Sequence, residues 1–198
     1  MKRSSVLVLS AVISAAGFAI NLNAADETAA PPAEKILLTE KFDAPALRWA
    51  GSGGIAGVAL ADGPAAGDKA LKLHFKIDTP KLGWPQCQRY LDNGGPALSG
   101  PVIAEFDIKV ERIKGNIKLS LQAVPFNEFS CSALPFVDDG KWQKVQVRIT
   151  PKKPGAKLAR LAFVVDQRQP NAGDENIFYI ANLQLRAAGE VPATAAAK

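Results

Sequence analysis

The 198-residue sequence predicts an all-β domain of two antiparallel layers, about eight to ten strands in all. Three observations carry that expectation. Apolar residues recur at every second position in segment after segment. Short runs rich in Gly, Asn, Asp and Pro separate those segments. No stretch between residues 35 and 186 sustains the 3.6-residue period of an amphipathic helix, so crossover helices for a parallel sheet are missing.

The elements follow in order. Residues 36–42 and 55–60 are apolar enough for opening strands. Leu71, Leu73, Phe75 and Ile77 alternate with Lys72, His74, Lys76 and Asp78. Val102, Ala104, Phe106, Ile108 and Val110 alternate with Ile103, Glu105, Asp107, Lys109 and Glu111. The same rhythm continues through Ile117, Leu119, Leu121 and Ala123, and through Val145, Val147 and Ile149. Each is a strand with one face buried and one wet. Residues 158–165 and 177–185 are more uniformly apolar strands. Turns are expected at Asp62-Gly63-Pro64, Asp92 to Pro96, Lys114-Gly115-Asn116, Asp138-Asp139-Gly140 and Asn171 to Asp174.

The two ends read differently. Residues 1–24 look like an export signal, with Lys2 and Arg3 ahead of an apolar run from Val6 to Ile20 and small residues after it. That run is short for a bilayer span, which wants about 20 residues, so no membrane span is expected after processing. A polar, Pro-containing leader (25–34) and a loose tail (187–198) flank a single domain at 35–186. Secretion or a periplasmic location follows. There an isolated cysteine pair, Cys87 and Cys131, is expected as a disulfide, the alternative being two buried thiols. Loss of the two cations Lys2 and Arg3 takes the net charge from +5 to +3. That surplus is too small, and too scattered, to argue for nucleic acid. One His and two Cys exclude a His-based zinc site and paired CxxC motifs.

Several segments follow one another in a telling order: Leu38-Thr39-Glu40-Lys41-Phe42-Asp43, Trp49, and Gly67-Asp68-Lys69-Ala70-Leu71-Lys72-Leu73. The central strand at 102–110, Asp139-Gly140-Lys141-Trp142-Gln143-Lys144-Val145, and Phe178-Tyr179-Ile180-Ala181-Asn182-Leu183-Gln184-Leu185 complete it. In this order and spacing they resemble the galactose-binding-like jelly-roll family of carbohydrate-binding modules. The resemblance implies an antiparallel jelly-roll β-sandwich with a polysaccharide or oligosaccharide as partner, and the expected function is that of a non-catalytic module. Many members hold a structural calcium. The matching positions are Glu40, Asp43 and Asp68, but Ala181 stands where the family's closing Asp is expected and offers no ligand oxygen. No other cofactor is implied.

A jelly roll bends one sheet into a shallow trough, and a sugar is expected on that concave face, stacking on aromatic rings while amides and charges reach its hydroxyls. The stretch Trp84-Pro85-Gln86-Cys87-Gln88-Arg89-Tyr90 fits that chemistry: as a strand it sets Trp84, Gln86, Gln88 and Tyr90 on one face. The plainer reading puts the two rings at the core edge. Arg89, Phe126 and Phe129 are flanking candidates, and Ser120, Gln122, Lys144, Gln146 and Arg148 are further residues for that face. Trp49 and Trp142 are expected in the core or at its ends. The modest positive charge leaves an acidic glycan open.

Two alternatives stand beside this reading. One is a small jelly-roll hydrolase or lyase. Glu105 and Asp107, about 7 Å apart on one strand face, are the one pair with glycosidase spacing, and His74 is the one histidine a lyase could use. The other is an envelope domain with a protein partner and no sugar.

Overall fold

The computed structural model describes residues 35–43, 47–51, 56–76, 84–92, 94–114, 116–125, 130–169 and 172–188. The expected signal and leader, Phe126, Phe129 and residues 189–198 of the expected tail lie outside the described residues. Cys131 is described by its backbone alone.

Among the described residues every regular element is a strand. In chain order they are β1 (Ile36–Glu40), β2 (Ala50–Gly51), β3 (Ala56–Asp62), β4 (Lys69–Lys76), β5 (Gln86–Tyr90) and β6 (Ala97–Leu98). There follow β7 (Val102–Arg112), β8 (Asn116–Pro125), β9 (Ser130–Ala133), β10 (Trp142–Ile149), β11 (Ala156–Gln169) and β12 (Glu175–Ala187). Each expected turn falls between two of them. Asp139-Gly140 shows why: Gly140 takes φ 71°, which a side chain resists, and Asp139 accepts a hydrogen bond from the Lys141 amide at 3.0 Å.

The strands form two antiparallel sheets. The first has the order β10-β7-β12-β4-β3, with β1 also on β12. The second has the order β2-β5-β11-β8-β9, with β6 also on β11. This is the antiparallel jelly-roll sandwich that the two-residue rhythm and the resemblance implied. β7 shows the rhythm most clearly, because Val102, Ala104, Phe106, Ile108 and Val110 are buried while the residues between them are half-exposed.

Between the sheets the core is organised by rings. Phe42, Trp49, Phe163 and Phe106 form a chain with successive centroids 6.2, 5.6 and 5.7 Å apart. Phe75, Phe178 and Phe136 form a second, at 6.2 and 5.7 Å. Edge-to-face and tilted pairs at these separations add about 0.5–1.5 kcal/mol each beyond area burial. Trp49 is in the core as expected.

Trp142 is not. It sits half-buried on the outer face of the first sheet, against Tyr179 at 6.4 Å. There it helps cover Ala70, Ile177, Tyr179 and Ala181, a small apolar patch that gives β12 two buried faces. That second cover is why the sequence around residues 177–181 runs apolar instead of alternating.

Candidate functional site

The outer face of the second sheet gathers the polar residues of β5. Gln86, Gln88 and Tyr90 share one phase of the strand, and Tyr90 is 64% exposed. The Pro85 carbonyl accepts a hydrogen bond from the Val165 amide at 3.0 Å, so the pairing with β11 continues past Gln86. Trp84 therefore keeps the same phase, with its indole 73% exposed. From Trp84 to Tyr90 the row runs about 20 Å.

Neighbouring strands complete this face. Gln88 pairs across β11 with Ala162, and Ala162 with Gln122 on β8. Gln86 pairs with Val164, and Val164 with Ser120. Ala162, Val164 and Ser120 are buried although they point outward, forming a floor of short side chains beside Gln86, Gln88 and Gln122. Arg160, the register partner of Tyr90, lies over that ring at 6.0 Å and donates to Gln88 Oε1 at 2.7 Å. Sequence reasoning missed Arg160 because it stands inside an apolar run. The signal was there: it is the single charge between Leu158 and Val165.

The other phase of β5 faces inward. Arg89 is placed there and not on the outer face: it is largely buried and ion-paired with Glu40, itself buried. Burial pulls the guanidinium below its usual range, and Asp92 opposes that shift. The pair borders a cavity of about 470 Å³ at the β1 end, lined also by Trp49, Arg48 and Asp43. Glu40 is thus engaged by a cation. Among the described residues no group of acids, including Glu40, Asp43 and Asp68, is gathered as a metal site.

The expected disulfide needs a correction. Cys87 is a free, buried thiol, 3.5 Å from the Gly57 carbonyl, and burial pushes its pKa up to about 12. Cys131 lies on β9, and β11 and β8 stand between β5 and β9. Three strand spacings put the two backbones about 14 Å apart, twice what a bridge can span.

The residues weighed for catalysis lie on the outer face of the first sheet, away from the rings of β5. Glu105 and Asp107 do share a face, but each is occupied. Gln146 and Lys144 donate to Glu105, and those bonds, led by Gln146, hold its carboxyl below the usual range. Asp107 accepts from Asn182 at 2.8 Å. A general acid needs the opposite shift. His74 Nε2 lies 2.7 Å from Glu175, which Arg112 also contacts. By register His74 is roughly 20 Å along β12 from Glu105. Lys144, Gln146 and Arg148 belong to this face too, whereas Ser120 and Gln122 belong with Gln88. Its aromatic pair is already capped: Lys109 Nζ lies 4.4 Å from the Tyr179 centroid and 5.4 Å from that of Trp142. Burial first, then the Glu111 carboxylate that its hydroxyl contacts, push the Tyr179 phenol up.

No family profile and no curated protein sequence matches the chain. Solved structures do. The fold is that of the carbohydrate-binding-module jelly roll. A Clostridium thermocellum endo-1,4-β-D-xylanase, comprising CBM22-1 and GH10 modules and complexed with xylohexaose, matches with TM-score 0.53 at 10% identity. That match covers 79% of this chain and 29% of the xylanase, so the chain spans under a third of that protein. A family 11 carbohydrate-binding module from the same organism, in complex with a β-1,3-1,4-mixed-linked tetrasaccharide, gives TM-score 0.51 at 17% identity over 78% of this chain and 96% of that one. The CBM22-1 xylan-binding domain from Paenibacillus barcinonensis gives 0.50 at 18% identity, over 80% and 99%. Among the described residues no helix is long and apolar enough to cross a membrane.

Proposed function

We propose that this chain is an exported, non-catalytic module that binds a polysaccharide on the outer face of its second sheet. Trp84 and Tyr90 supply ring faces, Gln86, Gln88 and Arg160 supply hydrogen bonds, and Ala162, Val164 and Ser120 form the floor. One observation carries the reading: two well-exposed rings bracket two amides in a single strand phase. Large aromatics are seldom left this exposed without a use, and amides between them match the alternating apolar and hydroxyl surfaces of a sugar chain. The solved structures named for xylan, xylohexaose and a β-1,3-1,4-mixed-linked tetrasaccharide support the reading through their shared fold. The export signal read at residues 1–24 agrees with an extracellular or periplasmic polymer as ligand.

A glycan array and affinity gels on the processed protein test this. Retention by at least one polysaccharide, lost in Trp84→Ala and in Gln88→Ala, is the expected result. Absence of any glycan hit, together with capture of a defined protein partner, overturns it in favour of an envelope-scaffold role.

A further inference from the structure

We infer that the ligand of this face is an acidic polysaccharide, one whose sugars carry carboxylates, and that Arg160 is the residue that reads the charge. The inference rests on the glycan-binding reading above and adds the substrate class.

The argument starts from donors and acceptors. A guanidinium has only donors, so the amide bonded to it must turn its oxygen inward. Gln88 does so, giving Oε1 to Arg160 at 2.7 Å. Its NH2 group is then left as the part offered to a ligand. Gln88 and Arg160 together therefore present mostly donors, with one lone pair of Oε1 already taken, which suits an oxygen-rich anion better than a hydroxyl that needs partners of both kinds.

Charge placement points the same way. On the first sheet several outward cations meet outward acids, Lys144 and Arg186 with Glu105, Lys72 with Glu111 and Arg112 with Glu175, while Lys109 lies over the Tyr179 and Trp142 rings. Arg160 has no ion pair among the described residues; its contacts are an amide and the Tyr90 ring. The outward rows holding Tyr90, Gln88 and Gln86 contain no Asp or Glu on β5, β11, β8 or β9. The acid nearest in phase on β11, Asp166, comes two residues after Val164, in the row of Trp84 and in register with Lys118, about 20 Å along β11 from Arg160. A guanidinium lying over a ring and bonded to an amide has less rotamer freedom left to lose, and its remaining N–H groups form the planar fork that carboxylates fit.

The test uses glucuronoxylan, polygalacturonate and alginate, each beside its carboxyl-reduced neutral derivative, in affinity gels with the full processed chain. At least one native polymer is expected to be retained about ten- to a hundredfold more tightly than its reduced form. Arg160→Gln should remove that preference. Arg148→Gln, which removes the same charge from the first sheet, should keep it. Equal retention of native and reduced polymers, with Trp84→Ala abolishing both, overturns the acidic-ligand inference and leaves the glycan-binding function standing. Preference for a sulfated glycan over every carboxylated one overturns the choice of carboxylate. An equal loss in Arg148→Gln marks diffuse attraction by a basic protein and overturns the role of Arg160. Failure of every glycan to bind removes the function itself.

Discussion

Trp84→Ala separates a binding ring from a structural one. The indole is 73% exposed, so the folded state gains little from it, and truncation should move stability by no more than about 0.5 kcal/mol. Binding is another matter. A sugar ring stacked on one indole face covers roughly a third of the ~200 Å² an aromatic side chain can bury. At about 25 cal/mol per Å², that area is worth about 1.7 kcal/mol, or about a 20-fold change in Kd. Two assays run together decide the matter: isothermal titration with the best glycan from the array, and thermal unfolding of the same preparation. The expected pair of results is a 20-fold weaker Kd with an unmoved Tm. Unchanged affinity would refute the stacking argument. A large fall in Tm would show that the ring supports the fold and that its exposure has been misread.

Three other outcomes follow from the interior and the first sheet. Arg89→Met should cost about 3–5 kcal/mol in urea unfolding by leaving Glu40 buried without its cation, and adding Glu40→Leu should recover most of the loss. Because the bonds to Glu105 lower its pKa in the folded state, their stabilising contribution is present above the unfolded carboxylate value near ~4.3 and disappears as pH falls through the lower folded value. Thermal scans should accordingly show a shallower acid decline in Glu105→Gln than in wild type. With a pKa of about 12, Cys87 is ionised in about one molecule in 10⁴ at pH 8; in Cys131→Ser it should resist a disulfide reagent until denaturant opens the core.

What the sequence revealed and what it hid divide along one line. Strand phase is local, so β7, β10 and β4 could be read from alternation alone, as could the phase shared by Trp84, Gln86, Gln88 and Tyr90. Strand order is not local. The distance between Cys87 and Cys131 depends on β11 and β8 being inserted between their strands, and no spacing along the chain reports that. The same holds for Trp142, which looks like a core residue until β12 is known to lie beside β7 with Tyr179 outward. Arg89 is a flanking candidate for the ligand in the sequence, in the opposite strand phase to Gln88. Adjacent residues of a strand face opposite ways, and the inward phase found its partner in Glu40, 49 positions earlier.

The two outer faces show how one sandwich assigns different work to similar residues. The first sheet carries rings, lysines and carboxylates, the composition often associated with sugar binding, yet its groups answer one another: Lys109 over Tyr179 and Trp142, Glu105 among Lys144, Gln146 and Arg186. A ligand arriving there exchanges existing contacts for new ones at little net gain. On the second sheet the rings at Trp84 and Tyr90 remain exposed, and the floor residues next to the amides are too short to reach a ligand's hydroxyls themselves. New apolar contact there adds to the free energy instead of replacing something, and the amides beside it fix orientation. Binding capacity follows from how much ring surface the fold leaves exposed beside its polar groups, and residue type alone does not decide it.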